Sequence, residues 1–282
     1  LPGTWPKQGD FYRSYADALS RSSAEVVYIS LPNSSHVEWI MAALGTGRHV
    51  VVDKPAAMTL KETQACADEA ARRDLILAEA TVFGHHSQFA AMRTFADSIA
   101  LTHIEATFII PPMPIENFRN YRRFGGGCLA DMGPYAAGVA RLFGRGEARS
   151  LSAIEAPPAS DRDIDMGFSL LAELRDGIRY SGHFSFESEY RNRLTLIGRR
   201  GALAVERCFS LPADVAPEWH VLRSNVANTE SQPEDDSFAR FLAAVLAAIN
   251  AGNGTALLND MMQDARFRAR LYDALHPGNI SA

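Results

Sequence analysis

The run VVYISLP, residues 26–32, is β-branched and aromatic and stops at a proline. Such a run predicts a strand buried on both faces, as in a parallel sheet. HVEWIMAALGTG (36–47) instead spaces Val37, Ile40, Met41 and Leu44 along one helical face, with Gly45 or Gly47 to end it. RHVVVDKP returns to a buried strand. TLKETQACADEAARRD predicts a helix capped by Thr59, with Glu62 completing a capping box. LILAEATVF predicts a third strand. This order makes two βαβ units, hence a parallel, doubly wound sheet that binds ligands at the C-terminal ends of its strands. Ahead of it, LPGTWPKQG reads as a loop and FYRSYADALSRS as a short helix.

From about residue 100 the rhythm changes. THIEATFII, RSLSAIEA, MGFSLLAELRDGIRYSGHFSF, RLTLIG, ALAVERC and EWHVLRS follow one another without crossover helices. That predicts a largely antiparallel sheet. RDG and GRRG are turn chemistry, and AELR–DG–IRYSG predicts a hairpin with a two-residue loop. One sheet face can pack on helices. The other keeps apolar residues, which implies cover by another subunit. Two helices, around 234–251 and 259–275, close the chain, and the acidic run at 234–236 reads as helix N-terminal charge.

Composition narrows the function. The net charge of −5 argues against a nucleic-acid partner, which would require a basic stripe. No apolar run approaches the roughly 20 residues that span a bilayer. Cys66, Cys128 and Cys208 lie far apart, with neither a disulfide framework nor metal-ligand spacing, which suits a reducing cytoplasm. His85 and His86 would point to opposite faces of a strand, so no metal site is expected.

The candidate chemistry sits at strand ends. Leu31-Pro32-Asn33 and Asp53-Lys54-Pro55 both fall just past C-terminal strand ends, where a lysine can face a crevice. Alone, Lys54 reads first as a solvated loop residue. Gly125, Gly126 and Gly127 permit an unusual backbone path into LADMGPYAAGVARLFG, a helix whose small residues would approach a ligand. Asp131 and Tyr135, four apart, would share a face of that helix. Pro134 either moves the helix start to about Tyr135 or kinks it. Alone, Asp131 reads equally as a cap or surface charge, and Tyr135 as a core aromatic.

Together these residues resemble the Gfo/Idh/MocA family of NAD(P)-dependent oxidoreductases. Ser30-Leu31-Pro32-Asn33-Ser34-Ser35-His36 is similar to the family's Thr-Pro-Asn-x-x-His motif, and Asp53-Lys54-Pro55 to its Glu-Lys-Pro. Ala42-Ala43-Leu44 to Arg48-His49-Val50 matches the segment between them. Phe118-Arg119 stands for Trp-Arg, followed by the glycines, Asp131, Gly133 and Tyr135 in the histidine position. That tyrosine resembles the branch of glucose-fructose oxidoreductase, dihydrodiol dehydrogenase and the sugar-nucleotide 3-ketoreductases. FSFESEYRNRLTLIGRRGALAVERCFSLP (184–212) is also similar to the ketoreductases. Gly84 and Ser87 depart from the branch's Arg-x-His-Pro and leave the role of His86 open.

The resemblance implies a fold of α/β plus α+β class. Residues 1–99 would be the remainder of a doubly wound (Rossmann) dinucleotide-binding domain lacking its first strands. Residues 100–282 would be a substrate-binding and oligomerisation domain with a large, mostly antiparallel sheet. The family's G-x-G-x-x-G does not occur, so the sequence is expected to be a fragment of a longer chain; a homologue that had lost the motif is the alternative. The implied activity is hydride transfer between NAD or NADP and a carbinol or ketone carbon of a sugar or sugar-nucleotide-like substrate. The implied catalytic residues are Lys54, Tyr135 and Asp131. The implied cofactor-binding residues are Ser30, Leu31, Pro32, Asn33, His36, Asp53, Lys54, Pro55 and Arg119. A homodimer or homotetramer through the C-terminal sheet is expected. Two other readings stand beside this one: a catalytically silent scaffold or sensor, and NAD-assisted glycoside cleavage, for which histidine at 135 is more usual.

Overall fold

The computed structural model describes residues 9–144, 146–156 and 163–278. The opening loop, apart from Gly9, lies outside them.

A three-stranded parallel sheet comes first. β1 (Val26–Ile29), β2 (His49–Asp53) and β3 (Leu77–Ala80) lie side by side in that order. α1 (Tyr15–Arg21) precedes it, and α2 (His36–Gly45) and α3 (Leu60–Arg72) are its crossovers. The sequence places all of these. Thr59 and Glu62 form the expected reciprocal capping box of α3. β1 departs from expectation, because it is not buried on both faces. Among the described residues it pairs only with β2, and Tyr28 is 44% exposed. On α2, Ile40 and Leu44 are buried as their spacing implies, but Met41 faces outward and Ala43 and His36 fill the inner face.

The second sheet has eight strands in the order β11-β10-β9-β8-β4-β7-β6-β5. They are β4 (Leu101–Ile109), β5 (Ala148–Glu155), β6 (Gly167–Leu174), β7 (Arg179–Ser185), β8 (Arg191–Gly198), β9 (Gly201–Glu206), β10 (Glu218–Arg223) and β11 (Val226–Ser231). Every pairing is antiparallel except β4 with β7. The β6–β7 hairpin does not have the two-residue loop expected of Asp-Gly. Leu174 and Ile178 bond across a three-residue turn, Arg175–Gly177, in which Asp176 and Gly177 both take positive φ. The sequence pattern does not mark β11, whose residues are all exposed and so carry no burial alternation.

The structure adds one helix to those expected. α4 (Ser87–Ile99) buries Phe89, Met92, Ala96 and Ile99, a helical spacing present in the sequence. With α5 (Cys128–Gly144) it packs into the core beneath the large sheet. α6 (Ser237–Ala251) and α7 (Thr255–Leu275) return to the small sheet: Phe241 and Val245 pack with Val51, Ile76, Ala78 and Ala80. α7 begins four residues before its expected start.

Candidate active site

The cleft opens where the parallel strands end. A cavity of about 510 Å³ is lined by Ser30–Asn33 after β1, Asp53 and Lys54 at the end of β2, and Ala80–Phe83 at the end of β3. The facing wall is Phe118, Arg119, Pro134, Tyr135 and Phe209.

α5 starts at Cys128, not near Tyr135, and Pro134 lies inside it. The N-terminal end is capped from outside. The carboxylate of Asp165 accepts from the Leu129 N–H, and its carbonyl from the Cys128 N–H. The glycines make the approach to this helix. Gly125 and Gly127 have φ of 72° and 113°. At Gly126 a Cβ would stand 2.4 Å from the Arg119 carbonyl oxygen. Two small residues of α5 face packed protein, while Pro134 of the same helix lines the cleft. A Cβ on Gly138 would meet the Phe83 ring at 2.7 Å, and Gly133 lies under the Arg268 side chain.

Because the helix is continuous, Asp131 and Tyr135 do share a face, and Lys54 reaches both. Lys54 Nζ donates to Asp131 Oδ1 and to the Asp131 carbonyl, each at 2.7 Å. It also lies 4.9 Å from the centre of the Tyr135 ring. Arg119 Nε donates to the same Asp131 oxygen at 3.0 Å, and its guanidinium covers the Phe118 ring. Burial works against the Lys54 charge, but Tyr135 and Asp131 outweigh it, against a smaller opposing effect of Arg119, and hold the ammonium above its ordinary pKa. Burial likewise opposes ionisation of Asp131, yet Lys54 and Arg119 hold its carboxyl below the usual range. The Tyr135 ring is fixed by Phe83, Phe108 and Phe209, with centroids 5.5, 4.9 and 5.7 Å away.

The other sequence candidates divide. Ser30, Leu31, Pro32, Asn33 and Asp53 line the cleft. Asp53 is held by the hydroxyls of Tyr28 and Ser30, and Asn33 donates to the Gly125 carbonyl at 2.8 Å. His36 does not line the cleft. It is fully buried, with its ring nitrogens 2.8 and 2.9 Å from the carbonyls of Pro55 and Leu31. It therefore braces the two strand-end loops from behind, and Pro55 is buried with it. His85 and His86 do not sit on a strand. His85 ends a 3-10 turn and packs edge-to-face with Phe241, while His86 caps α4. Among the described residues, no three His, Cys, Asp or Glu side chains gather as a metal site requires. Thr81, Val82 and Phe83 line the cleft without having been singled out. The strand-end rule that found Lys54 applies to β3 as well. Phe209, on a loop after β9, had no such signal.

Residues 7–81 match the model of the oxidoreductase family with an NAD-binding Rossmann fold, Gfo/Idh/MocA. Residues 100–204 match the family's C-terminal domain. The chain belongs to the Gfo/Idh/MocA family. It is an NAD(P)-dependent oxidoreductase. It is 31% identical to a dTDP-3,4-didehydro-2,6-dideoxy-alpha-D-glucose 3-reductase of Saccharopolyspora spinosa, across 93% of this chain and 80% of the relative. It is 27% identical to D-xylose 1-dehydrogenase (NADP(+)) 2 of Haloferax volcanii, across 86% of this chain and 74% of that one. A 3-ketoreductase of Actinomadura kijaniata, solved with NADP and TDP-benzene, superimposes with a TM-score of 0.87 at 30% identity, covering 94% of this chain and 81% of that structure. These similarities favour the enzymatic reading of this family member over a silent scaffold.

Proposed function

We propose that this protein is an NADP-dependent 3-ketoreductase of a nucleoside-diphosphate-linked deoxysugar. The observation that carries this reading is the Lys54–Asp131–Tyr135 cluster at the open end of the parallel sheet. The similarity to named sugar-nucleotide reductases supports the substrate class. So does the cleft wall. Val82, Phe83, Phe118 and Phe209 offer no hydrogen bonds from their side chains, which suits a sugar that lacks some hydroxyls.

The residues fit a nicotinamide cofactor at this edge, since backbone and small polar side chains of two strand ends border one cavity. When bound, the nicotinamide supplies the hydride to the carbonyl carbon. Ser30, Leu31, Pro32, Asn33 and Asp53 would border it, and Arg119 would contact cofactor or substrate. A carbonyl under reduction develops alkoxide charge, which needs a proton and a nearby cation. The Tyr135 hydroxyl gives the proton. Lys54 supplies the cation, and Asp131 holds Lys54 in place. His36 and Pro55 act behind the cleft by fixing the loops that form it.

The outward face of the large sheet carries Ile154 and Leu171, 76% and 61% exposed, as expected if another subunit covers it. A homodimer or homotetramer through this sheet follows from our reading, as does a cytoplasmic location for a chain whose three cysteines are free and buried. Among the described residues, no helix is long and apolar enough to cross a membrane. The test compares initial rates: a dTDP-linked 3-keto-2,6-dideoxy sugar with NADPH, against D-xylose with NADP. The keto sugar should be turned over with the higher kcat/KM. A preference for free xylose overturns the substrate assignment.

A further inference from the structure

α7 does not line the cleft, yet it is tied to both halves of the catalytic pair. Its Arg268 is buried, and Nη1 donates to the Ala57 carbonyl at 3.2 Å. Ala57 lies three residues after Lys54. One residue earlier, the Ala56 N–H donates to Glu79 Oε2 at 2.7 Å. Glu79, on β3, is also buried, and its other oxygen accepts from the Thr81 hydroxyl at 2.7 Å. Arg268 Nη2 lies 3.9 Å from Glu79 Oε2. The loop that carries Lys54 is thus gripped by one buried anion at its N–H and one buried cation at its carbonyl.

The same arginine touches the opposite partner. Its stem lies over Gly133, with Cδ 3.5 Å from where a Cβ would stand, between Asp131 and Tyr135 in sequence. One turn earlier on α7, Asp264 accepts from Arg141 of α5 at 2.9 Å, as does Asp260. α7 therefore fixes the helix of Tyr135 and the loop of Lys54 to one strut.

Stability alone is a poor account of Arg268. Its Nε and Nη2 are buried without hydrogen-bond partners among the described residues. Replacing the whole Arg268–Glu79 pair by apolar side chains of similar volume would generally serve the core as well, whereas removing one partner leaves the other charge buried. The directional contact to Ala57 is what such a side chain could not make.

We infer that Arg268 and Glu79 are positioning residues that set where Lys54 stands relative to Tyr135. The inference rests on the roles assigned to that pair under the proposed function. Lys54 Nζ has two bonds to Asp131, but those bonds need its backbone at the right height above α5. A displacement of about 1 Å at such a site costs on the order of a hundredfold in rate.

The test uses the full-length enzyme with Arg268→Met, Arg268→Lys and Glu79→Gln, and Tyr135→Phe as reference. Arg268→Met and Glu79→Gln should lower kcat on the order of tenfold to a hundredfold. KM for NADPH should change little, and the pH dependence of kcat should shift as Lys54 loses its place. Arg268→Lys, which keeps a donor for the Ala57 carbonyl, should recover part of the rate, and it serves if the methionine variant does not fold. Crystal structures should show residues 54–57 moved and the Lys54–Asp131 bonds lengthened in Arg268→Met. Folded variants with Lys54 unmoved and kcat unchanged, while Tyr135→Phe is impaired, overturn the inference. If Tyr135→Phe is itself unimpaired, the proposed function fails, and the crystallographic position of Lys54 still decides whether the clamp exists.

Discussion

Lys54 and Asp131 meet twice: the ammonium donates to both the carboxylate and the backbone carbonyl of Asp131, at 2.7 Å. The pair joins the end of β2 to the first turns of α5. It keeps a cation beside Tyr135 while neutralising most of what that cation would cost to bury.

Removing one partner should therefore be worse than weakening both. Lys54→Met leaves Asp131 with Arg119 alone. Breaking a buried pair costs about 3–5 kcal/mol, and the lower part of that range is expected because Lys54 and Asp131 keep side-chain exposures of 17% and 11%. Urea unfolding of Lys54→Met should show this loss near neutral pH, and turnover should fall as well.

The acid limb of stability should carry the signature of Asp131. Its carboxyl is held below the usual range in the folded chain. A depressed carboxylate contributes stability above its unfolded value of about 3.9, lost as pH falls through the folded value. Below about pH 4, wild-type unfolding free energy should fall more steeply than that of Asp131→Asn. Parallel acid limbs in the two proteins would count against the buried pair.

Asp264 should work in the opposite sense. Burial, opposed by its Arg141 partner, pushes its carboxyl up to about 7. The folded chain then binds the proton more tightly than the unfolded one, so stability is lost as pH rises from about 4 to about 7. The difference between wild type and Asp264→Asn should shift toward the variant across that range, by on the order of 4 kcal/mol. Calorimetry at several pH values measures it. A difference independent of pH would show that Asp264 titrates normally.

Gly126 should tolerate no side chain. A Cβ would stand 2.4 Å from the Arg119 carbonyl oxygen, which is backbone and cannot swing aside. Gly126→Ala should cost about 1–3 kcal/mol by overpacking and lower turnover through displaced Arg119. Gly45→Ala, where nothing lies within 4 Å, is the control and should be near neutral.

Much of this was legible because the parallel sheet has simple rules. Periodicity placed β1, α2, β2, α3 and β3, and the strand-end rule put Lys54 at a crevice. The spacing of Asp131 and Tyr135 gave their shared face. Other features depend on contacts that sequence does not encode locally. His36 sits inside a motif but turns away from the cleft, because two carbonyls brought together by folding claim its ring. Phe209 reaches the cleft from a loop whose path is set by the large sheet. Glu79 and Arg268 are 189 residues apart in number, and only the packing of α7 brings them to one loop. Pro134 leaves two readings open in sequence, a helix start near Tyr135 or a kink, and the capped start at Cys128 excludes the first by placing the proline inside the helix.

The most direct test of the account is the turnover of Tyr135→Phe in the full-length enzyme, with NADPH and the keto sugar, where hydride transfer is shown to limit the rate. The variant keeps the ring packing against Phe83, Phe108 and Phe209 and removes only the hydroxyl. The account expects kcat to fall by roughly a hundredfold or more, the scale of losing a general acid, with NADPH affinity nearly kept. Near-normal kcat under those conditions would contradict it and assign the proton transfer to another group.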